Sequence, residues 1–322
     1  MNILVTGGAG FIGSNLCDRL VSDGETVTVV DNLSTGFLEN IQHLLGHSNF
    51  HYINDTILNE ERMEGLIRDT DCIIHLAAAV GVKYVLENPL TSIETNIKGT
   101  EVILRFANRY HKRVLIASTS EVYGKHMHAP LKEDDNLIYG PPSTMRWSYA
   151  AAKLVDEFTA LAYHRTKKLE VVIFRCFNTI GPRQTGLYGM VVPRFIKQAL
   201  RDEPITVYGD GTQTRTFTYV GDVVEALVRL MGCDEAIGEV VNIGGRDEIS
   251  ILELAEKIKE ISRSSSEITL VPYSNVYGRD FEDMMRRVPS LDKLESLIGY
   301  SPNTPLDETL RKTIEYFRSR AD

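Results

Sequence analysis

The stretch NILVTGGAGFIGSNL, residues 2–16, decides the fold. A short apolar run with strand character leads into Gly7, Gly10 and Gly13, and the residues that follow keep a helical period. A strand that turns on glycines directly into a helix brings backbone N–H groups and the positive end of that helix to one point. A pyrophosphate suits such a point, with Phe11 and Ile12 completing the turn. The spacing is G-x-x-G-x-x-G rather than the G-x-G-x-x-G of the common dinucleotide fingerprint, and turn-making alone would account for isolated glycines.

What lifts the glycines above that reading is Asp31, at the end of the second apolar run, TVTVVD. A carboxylate there accepts hydrogen bonds from adenosine ribose hydroxyls and repels a 2′-phosphate. No arginine follows immediately, so the expected cofactor is NAD rather than NADP. Asn32 beside it, Asp55 and Thr56 after the third run, and Ala77 after the fourth are the further candidates for lining the dinucleotide.

From this unit the pattern extends along the first half of the chain. Strands are expected at 2–6, 26–31, 50–53, 72–77, 113–119 and 170–175, with helices at 11–23, 91–110 and 148–167 between some of them. Several strands are almost continuously apolar, as strands covered on both faces of a parallel sheet are. The alternation implies an α/β fold, a doubly wound parallel sheet with right-handed crossovers. After about residue 178 glycine and proline become frequent, in GPRQTGLYG and YGDGTQTRTF, and short strands mix with helices at 190–202, 250–262 and 305–320. The expected division is a dinucleotide-binding domain over 1–178 and a smaller, interleaved C-terminal substrate lobe over 179–322. Ligands on such sheets bind at the carboxyl ends of the strands, where sheet and lobe would meet.

Composition narrows the class. The 322 residues are 43% hydrophobic and 25% charged, values of a globular chain, and the net charge is −9. That charge disfavours nucleic acid or an anionic membrane as main partner. Cys17, Cys72, Cys176 and Cys233 are far apart with no CxxC pair, which suits a reducing compartment. The N-terminal residues read as a strand with no basic region before an apolar stretch, and no apolar run approaches membrane-spanning length. The expectation is a cytoplasmic chain. His43, His47 and His51, or His126 and His128, lack the carboxylate or cysteine that would complete a metal site, so no metal is expected.

In RWSYAAAKLVDEF, residues 146–158, Tyr149 and Lys153 stand four apart and share one helix face. A lysine cation and the positive nicotinamide of NAD⁺ stabilise phenolate and lower the tyrosine pKa. The pair then serves as a base that removes a sugar hydroxyl proton while hydride leaves the same carbon. On an isolated helix the spacing would be coincidence; after a nucleotide-binding unit it reads as chemistry. Upstream, the strand end ASTSEVYG, residues 117–124, puts Ser118, Thr119 and Ser120 near the nicotinamide, with Glu121 an ionisable group in a small, apolar stretch. Trp147 is expected to pack beside Tyr149.

With these motifs in hand the chain resembles the extended short-chain dehydrogenases/reductases, which have a Rossmann sheet. More narrowly it resembles their NAD-dependent nucleotide-sugar epimerases, dehydratases and decarboxylases. The resemblance spans essentially the whole chain, through TGGAGFIGSNL, STSEVYG, YAAAK, RCFNTIGPRQ, GDGTQTRTFTYVGDVVEAL and VVNIGG. It implies that Thr119, Tyr149 and Lys153 are catalytic, with NAD⁺ oxidising the sugar at C4. It also implies that Asn178 contacts the substrate diphosphate, and that Arg215, Arg279 and Asp283 hold the nucleoside and phosphates. Ser120 and Arg146 join the substrate-side candidates.

The subfamily turns on the strand end. Dehydratases of this group carry an Asp-Glu pair after the threonine, and Ser120 occupies the aspartate slot here. UDP-glucuronate decarboxylases resemble this chain in STSEVYG, and Arg287 falls on the arginine they place beside the sugar. Oxidation at C4 makes a β-keto acid, which sheds CO₂ because the ketone accepts the electrons. The resemblance therefore implies UDP-glucuronate decarboxylation, with Glu121 and Arg287 in catalytic roles. The second lobe reads much like that of a 4-epimerase, so epimerisation of UDP-glucuronate or UDP-glucose is the alternative. A non-catalytic dinucleotide sensor is a third reading. Relatives commonly dimerise through the helix bearing the tyrosine and the one before it, which implies a homodimer.

Overall fold

The protein, a computed structural model, is described over residues 1–126, 128–186, 190–277 and 283–320. Among the described residues, seven parallel strands form the central sheet. In chain order these are β1 (Asn2–Thr6), β2 (Thr26–Val30), β3 (Phe50–Ile53), β4 (Cys72–His75), β5 (Arg113–Thr119), β6 (Val171–Cys176) and β11 (Val240–Ile243). Their spatial order is β11-β6-β5-β4-β1-β2-β3. The chain thus starts in the middle of the sheet and winds outward both ways, and the order reverses between β1 and β4. That switch point opens a crevice above the carboxyl ends of the strands.

Helices cover both faces because the strands are apolar on both. On one face α1 (Phe11–Ser22) and α7 (Val220–Met231) pack over Ile3, Val5, Val27, Val172 and Val241. On the other, α2 (Glu60–Arg68), α4 (Pro89–Tyr110) and α5 (Ser148–Lys167) pack over Leu4, Ile73, Val114, Ile116 and Ile173. Each such side chain contributes about 1.5–3 kcal/mol by leaving water. A short α3 (Val82–Glu87) precedes α4.

The smaller lobe is built from β7 (Thr179–Ile180), α6 (Val191–Leu200), β8 (Ile205–Tyr208), β9 (Thr214–Thr216), β10 (Thr218–Tyr219), β12 (Glu248–Ser250), α8 (Ile251–Ser262), β13 (Ile268–Val271) and β14 (Arg286–Arg287). Its core joins Phe195, Ile196, Ile205, Leu254, Ile258 and Leu310. Ser250 and Glu253 cap α8 reciprocally, which fixes where that helix begins. Residues 220–243 return from this lobe to the large sheet: α7 lies on it and β11 pairs with β6. β14 pairs with β9, so Arg287 lies opposite Arg215.

Candidate active site

A cavity of about 640 Å³ runs between the strand ends and the small lobe. At one end it is floored by the turn from β1 into α1. Gly10 stands extended at the helix start and no side chain caps α1, so its first N–H groups face the cavity end. The glycines are required sterically. Gly7 has φ +73°, and a Cβ there would stand 2.8 Å from Ala77 N; one on Gly13 would stand 2.3 Å from Gly7 O. The close approach of the turn to the end of β4 leaves room for a group against the backbone itself.

Gly7, Gly10, Phe11, Ile12, Gly13, Asp31, Asn32, Asp55, Thr56 and Ala77 all line this part of the cavity. Asp31 is anchored from behind: Oδ2 accepts from Ala9 N at 3.0 Å and Oδ1 from Leu33 N at 2.8 Å. Burial raises its pKa, against the pull of those two N–H groups. Asp55 accepts from Thr56 N (2.8 Å) and from Asn59 Nδ2 (2.9 Å), fixing the loop after β3.

Thr119 and Tyr149 line the middle of the cavity, with Ser120 and Glu121 beside them. Thr119 ends β5, and its Oγ1 accepts from Glu121 N at 3.2 Å, which turns the chain into the short helix over Ser120–Tyr123. That turn aims Glu121 back over the sheet. Trp147 is buried at the foot of α5 and meets Tyr139 edge-on, with ring centroids 6.2 Å apart. Lys153 lies deeper, outside the cavity wall, and donates to Asp156 Oδ2 at 2.8 Å. The Tyr149 phenol is pushed well above its ordinary pKa, first by burial, then by the carboxylates of Glu121 and Asp156. The downward pull expected of Lys153 does not prevail here, since burial and then the two carboxylates set the direction.

The far end is a charged cluster from both lobes. Glu121 Oε2 lies 2.5 Å from Arg146 Nη1, and Oε1 lies 2.7 Å from Arg287 Nη2. Arg215 Nη2 reaches Asp283 Oδ2 at 3.1 Å, and Arg146 Nη2 stands 3.9 Å from Asp283 Oδ1. All three arginines are at least nine-tenths buried. Burial alone would raise the Glu121 pKa, but Arg146, Arg287 and Arg215 outweigh it and hold the carboxyl well below its ordinary range. The Arg215 pKa is lowered as well, to about 10, through burial and the neighbouring Arg287, so there it is the charged form that is disfavoured. Asn178 donates to Thr216 O at 2.9 Å and stands 3.5 Å from Arg287 Nη1. Arg279 lies outside the described residues.

Other lining residues escaped the sequence reading: Arg183, Arg194, Tyr208, Gln213 and Tyr273. Arg194 stacks over the Tyr208 ring at 3.5 Å, and Gln213 donates to Tyr273 Oη, which meets Asp283 at 3.1 Å. An arginine–aromatic stack is a flat platform of the kind that suits a base. Among the described residues, no group of three or more His, Cys, Asp or Glu is placed to hold a metal.

A glycine turn, a threonine–tyrosine pair and an arginine cluster in one cavity agree with what comparison by sequence finds. The sequence model described as GDP-mannose 4,6-dehydratase matches residues 4–313. The chain belongs to this family of extended short-chain dehydrogenases/reductases. A UDP-N-acetyl-α-D-glucosaminuronate decarboxylase of Bacillus cytotoxicus is 45% identical over 317 residues, covering 98% of this chain and 97% of the relative. UDP-glucuronic acid decarboxylase 1 of Danio rerio is 43% identical over 317 residues, covering 98% of this chain and 72% of the relative. Among solved structures, the UDP-glucuronic acid 4-epimerase of Bacillus cereus, in complex with UDP-glucuronic acid and NAD, superposes with a TM-score of 0.90 at 33% identity. That match covers 99% of this chain and all of the epimerase. The protein is an enzyme with the Rossmann-type fold of this family.

Proposed function

We propose that this enzyme decarboxylates a UDP-hexuronate, UDP-glucuronate in the first instance, through a 4-keto intermediate, with NAD as resident cofactor. The observation that carries the reading is the Arg146–Glu121–Arg287 cluster beside Thr119 and Tyr149. Two buried guanidinium groups already holding one carboxylate form a site with the charge and donors for a second, that of the uronate. The two decarboxylases at 45% and 43% identity support it.

The residues present fit NAD. The glycine turn leaves space that a Cβ would fill, the uncapped start of α1 suits a pyrophosphate, and Asp31 at the end of β2 suits ribose hydroxyls. Gly7, Gly10, Gly13, Asp31, Asp55 and Ala77 would hold it, with Lys153 approaching from behind Tyr149. When bound there, NAD supplies the hydride acceptor for the sugar C4–H and the donor that returns it.

The protein's own groups do the rest. Thr119 hydrogen-bonds the C4 hydroxyl and Tyr149 removes its proton as C4 is oxidised to a ketone. The C5–C6 bond then breaks, CO₂ leaves, and its electron pair passes into the ketone as an enolate. Glu121 and Arg287 are proposed to manage the proton that C5 takes up to restore the 4-keto sugar, and Tyr149 returns its proton to the C4 oxygen on reduction. Arg215, Asn178 and the Arg194–Tyr208 platform are proposed to hold the diphosphate and base.

Incubation of the protein with UDP-glucuronate and NAD⁺ followed by mass spectrometry tests the reading. Loss of the mass of CO₂ supports it. An unchanged mass in a new chromatographic peak favours the second reading, 4-epimerisation, which the Bacillus cereus structural neighbour supports. UDP-N-acetylglucosaminuronate, run in parallel, tells whether a C2 acetamido group is preferred, as the Bacillus cytotoxicus relative's name invites. We also propose a homodimer through the outer faces of α4 and α5, where Leu90 and Phe158 are 68% and 66% exposed. A cytoplasmic setting is proposed from the four free cysteines. No helix among the described residues is long and apolar enough to cross a membrane.

A further inference from the structure

Behind Tyr149 lies a second buried ion pair, which the sequence reading did not separate from the amphipathic pattern of α5. Lys153 Nζ donates to Asp156 Oδ2 at 2.8 Å, and the two side chains are 3% and 2% exposed. Standing three apart, they share one helix face. On the other side of Asp156 stands Thr100 of α4, which with Lys153 pulls the Asp156 pKa down against the rise that burial causes. The Thr100 hydroxyl is 3.2 Å from His75 Nε2, His75 Nδ1 is 2.7 Å from Thr6 Oγ1, and that oxygen accepts from Ala77 N at 3.2 Å.

Burial, then the Lys153 charge, pushes the His75 pKa down to about 3, so its ring is neutral and carries one N–H. Thr6 accepts from the Ala77 amide, and its hydroxyl and His75 Nδ1 share one hydrogen bond. His75 Nε2 and the Thr100 hydroxyl share the next one. The chain begins at an amide in the cavity wall opposite the Gly7 turn.

We propose that Asp156 is the positioning residue for Lys153: its carboxylate is the counter-charge that keeps the buried ammonium charged and fixed behind Tyr149, and the Thr100–His75–Thr6 chain ties that carboxylate to the strand ends carrying the nucleotide turn. The proposal rests on the reading of Tyr149 and Lys153 as a working pair. An ammonium this deep has no access to water for solvation, and a buried charge whose partner is removed sheds its proton rather than stay charged. The neighbouring groups are otherwise committed. On α5, Glu157 is held by Arg175 at 2.7 and 2.9 Å and by Ser118. Glu121 is clamped by Arg146 and Arg287, the Cys176 thiol on β6 is pushed up to about 12 by burial, and His75 on β4 is neutral. The Tyr149 phenol is pushed up by burial and by Glu121 and Asp156, without the positive charge that bound NAD⁺ would bring beside it.

The test is the pH dependence, from about 6 to 9.5, of NAD⁺ affinity by calorimetry and of kcat in the full chain carrying D156N or D156E. Wild type and D156E are expected to hold both quantities across the range. D156N is expected to match them at the acid end, then lose NAD⁺ affinity and kcat together, by about tenfold per pH unit past the midpoint of one ionisation. A D156N profile parallel to wild type overturns the proposal, as does improved activity on the alkaline side. Should D156N fail to fold, T100V keeps the ion pair and frees its anchor: kcat is expected to fall three- to tenfold with the sugar-nucleotide KM unchanged, and an unchanged kcat overturns the proposal. The NAD⁺ titration reads Asp156 even if none of the tested sugars turns over, so failure of the functional reading and failure of this one are distinguishable.

Discussion

Replacing Glu121 by glutamine keeps the side chain's shape and removes its charge. In the wild type one carboxylate meets Arg146 at 2.5 Å and Arg287 at 2.7 Å, with Arg215 close enough to add to its field. After E121Q three buried guanidinium groups face Asp283 as their remaining carboxylate partner in this cluster. Breaking a buried pair by removing one partner costs about 3–5 kcal/mol. The cavity admits water on one side, which argues for the lower end, about 3 kcal/mol. At about 2 °C per kcal/mol for a chain of this size, Tm should fall by roughly 6 °C.

The pH sign is fixed by the direction of the shift. The Glu121 carboxyl is held below its unfolded value of 4.5, so its stabilisation is fully present above that value and fades as pH falls toward the lower folded one. The gap between wild type and E121Q, read by scanning calorimetry, should be flat from about pH 8 to 5.5 and shrink below about 4.5. UDP-glucuronate should narrow the gap, since its carboxylate restores the missing charge, whereas UDP alone should not. A Tm within 1 °C of wild type, or a gap that widens toward acid pH, would refute the charge-clamp argument.

Two further predictions concern the other parts of the cavity. Tyr149→Phe should lower kcat by about 10²–10⁴-fold with NAD⁺ affinity preserved, because a phenyl ring fills the site but moves no proton; single-turnover kinetics with UDP-glucuronate checks it. Gly13→Ala should weaken NAD⁺ at least tenfold by calorimetry, since the new Cβ would stand 2.3 Å from Gly7 O and 2.8 Å from Gly8 Cα, and backbone must move.

Much of this site was legible because its signals are local. The glycines, the acid at the end of β2 and the tyrosine–lysine spacing each depend on residues a few positions apart, and β3 and β5 match their expected limits of 50–53 and 113–119. What escaped depends on distant partners. Val240–Ile243 is too short to announce itself, and it becomes a strand of the large sheet because β6 offers an open edge. Arg194, Tyr208 and Tyr273 read as ordinary surface residues until the small lobe folds them over the cavity. Arg146 was expected beside substrate, and its salt bridge to Glu121 was invisible without the turn after β5. Asp156 is one polar residue among several on α5 in the sequence, and its neighbours Thr100 and His75 come from another helix and a strand.

Decarboxylation through a 4-keto intermediate leaves the sugar with one solvent proton at C5. UDP-glucuronate turned over in D₂O and followed by proton NMR tests it most directly. The expected product is a UDP-pentose bearing one deuterium at C5, with CO₂ released in equal amount. A six-carbon uronate product inverted at C4 and free of deuterium would contradict it.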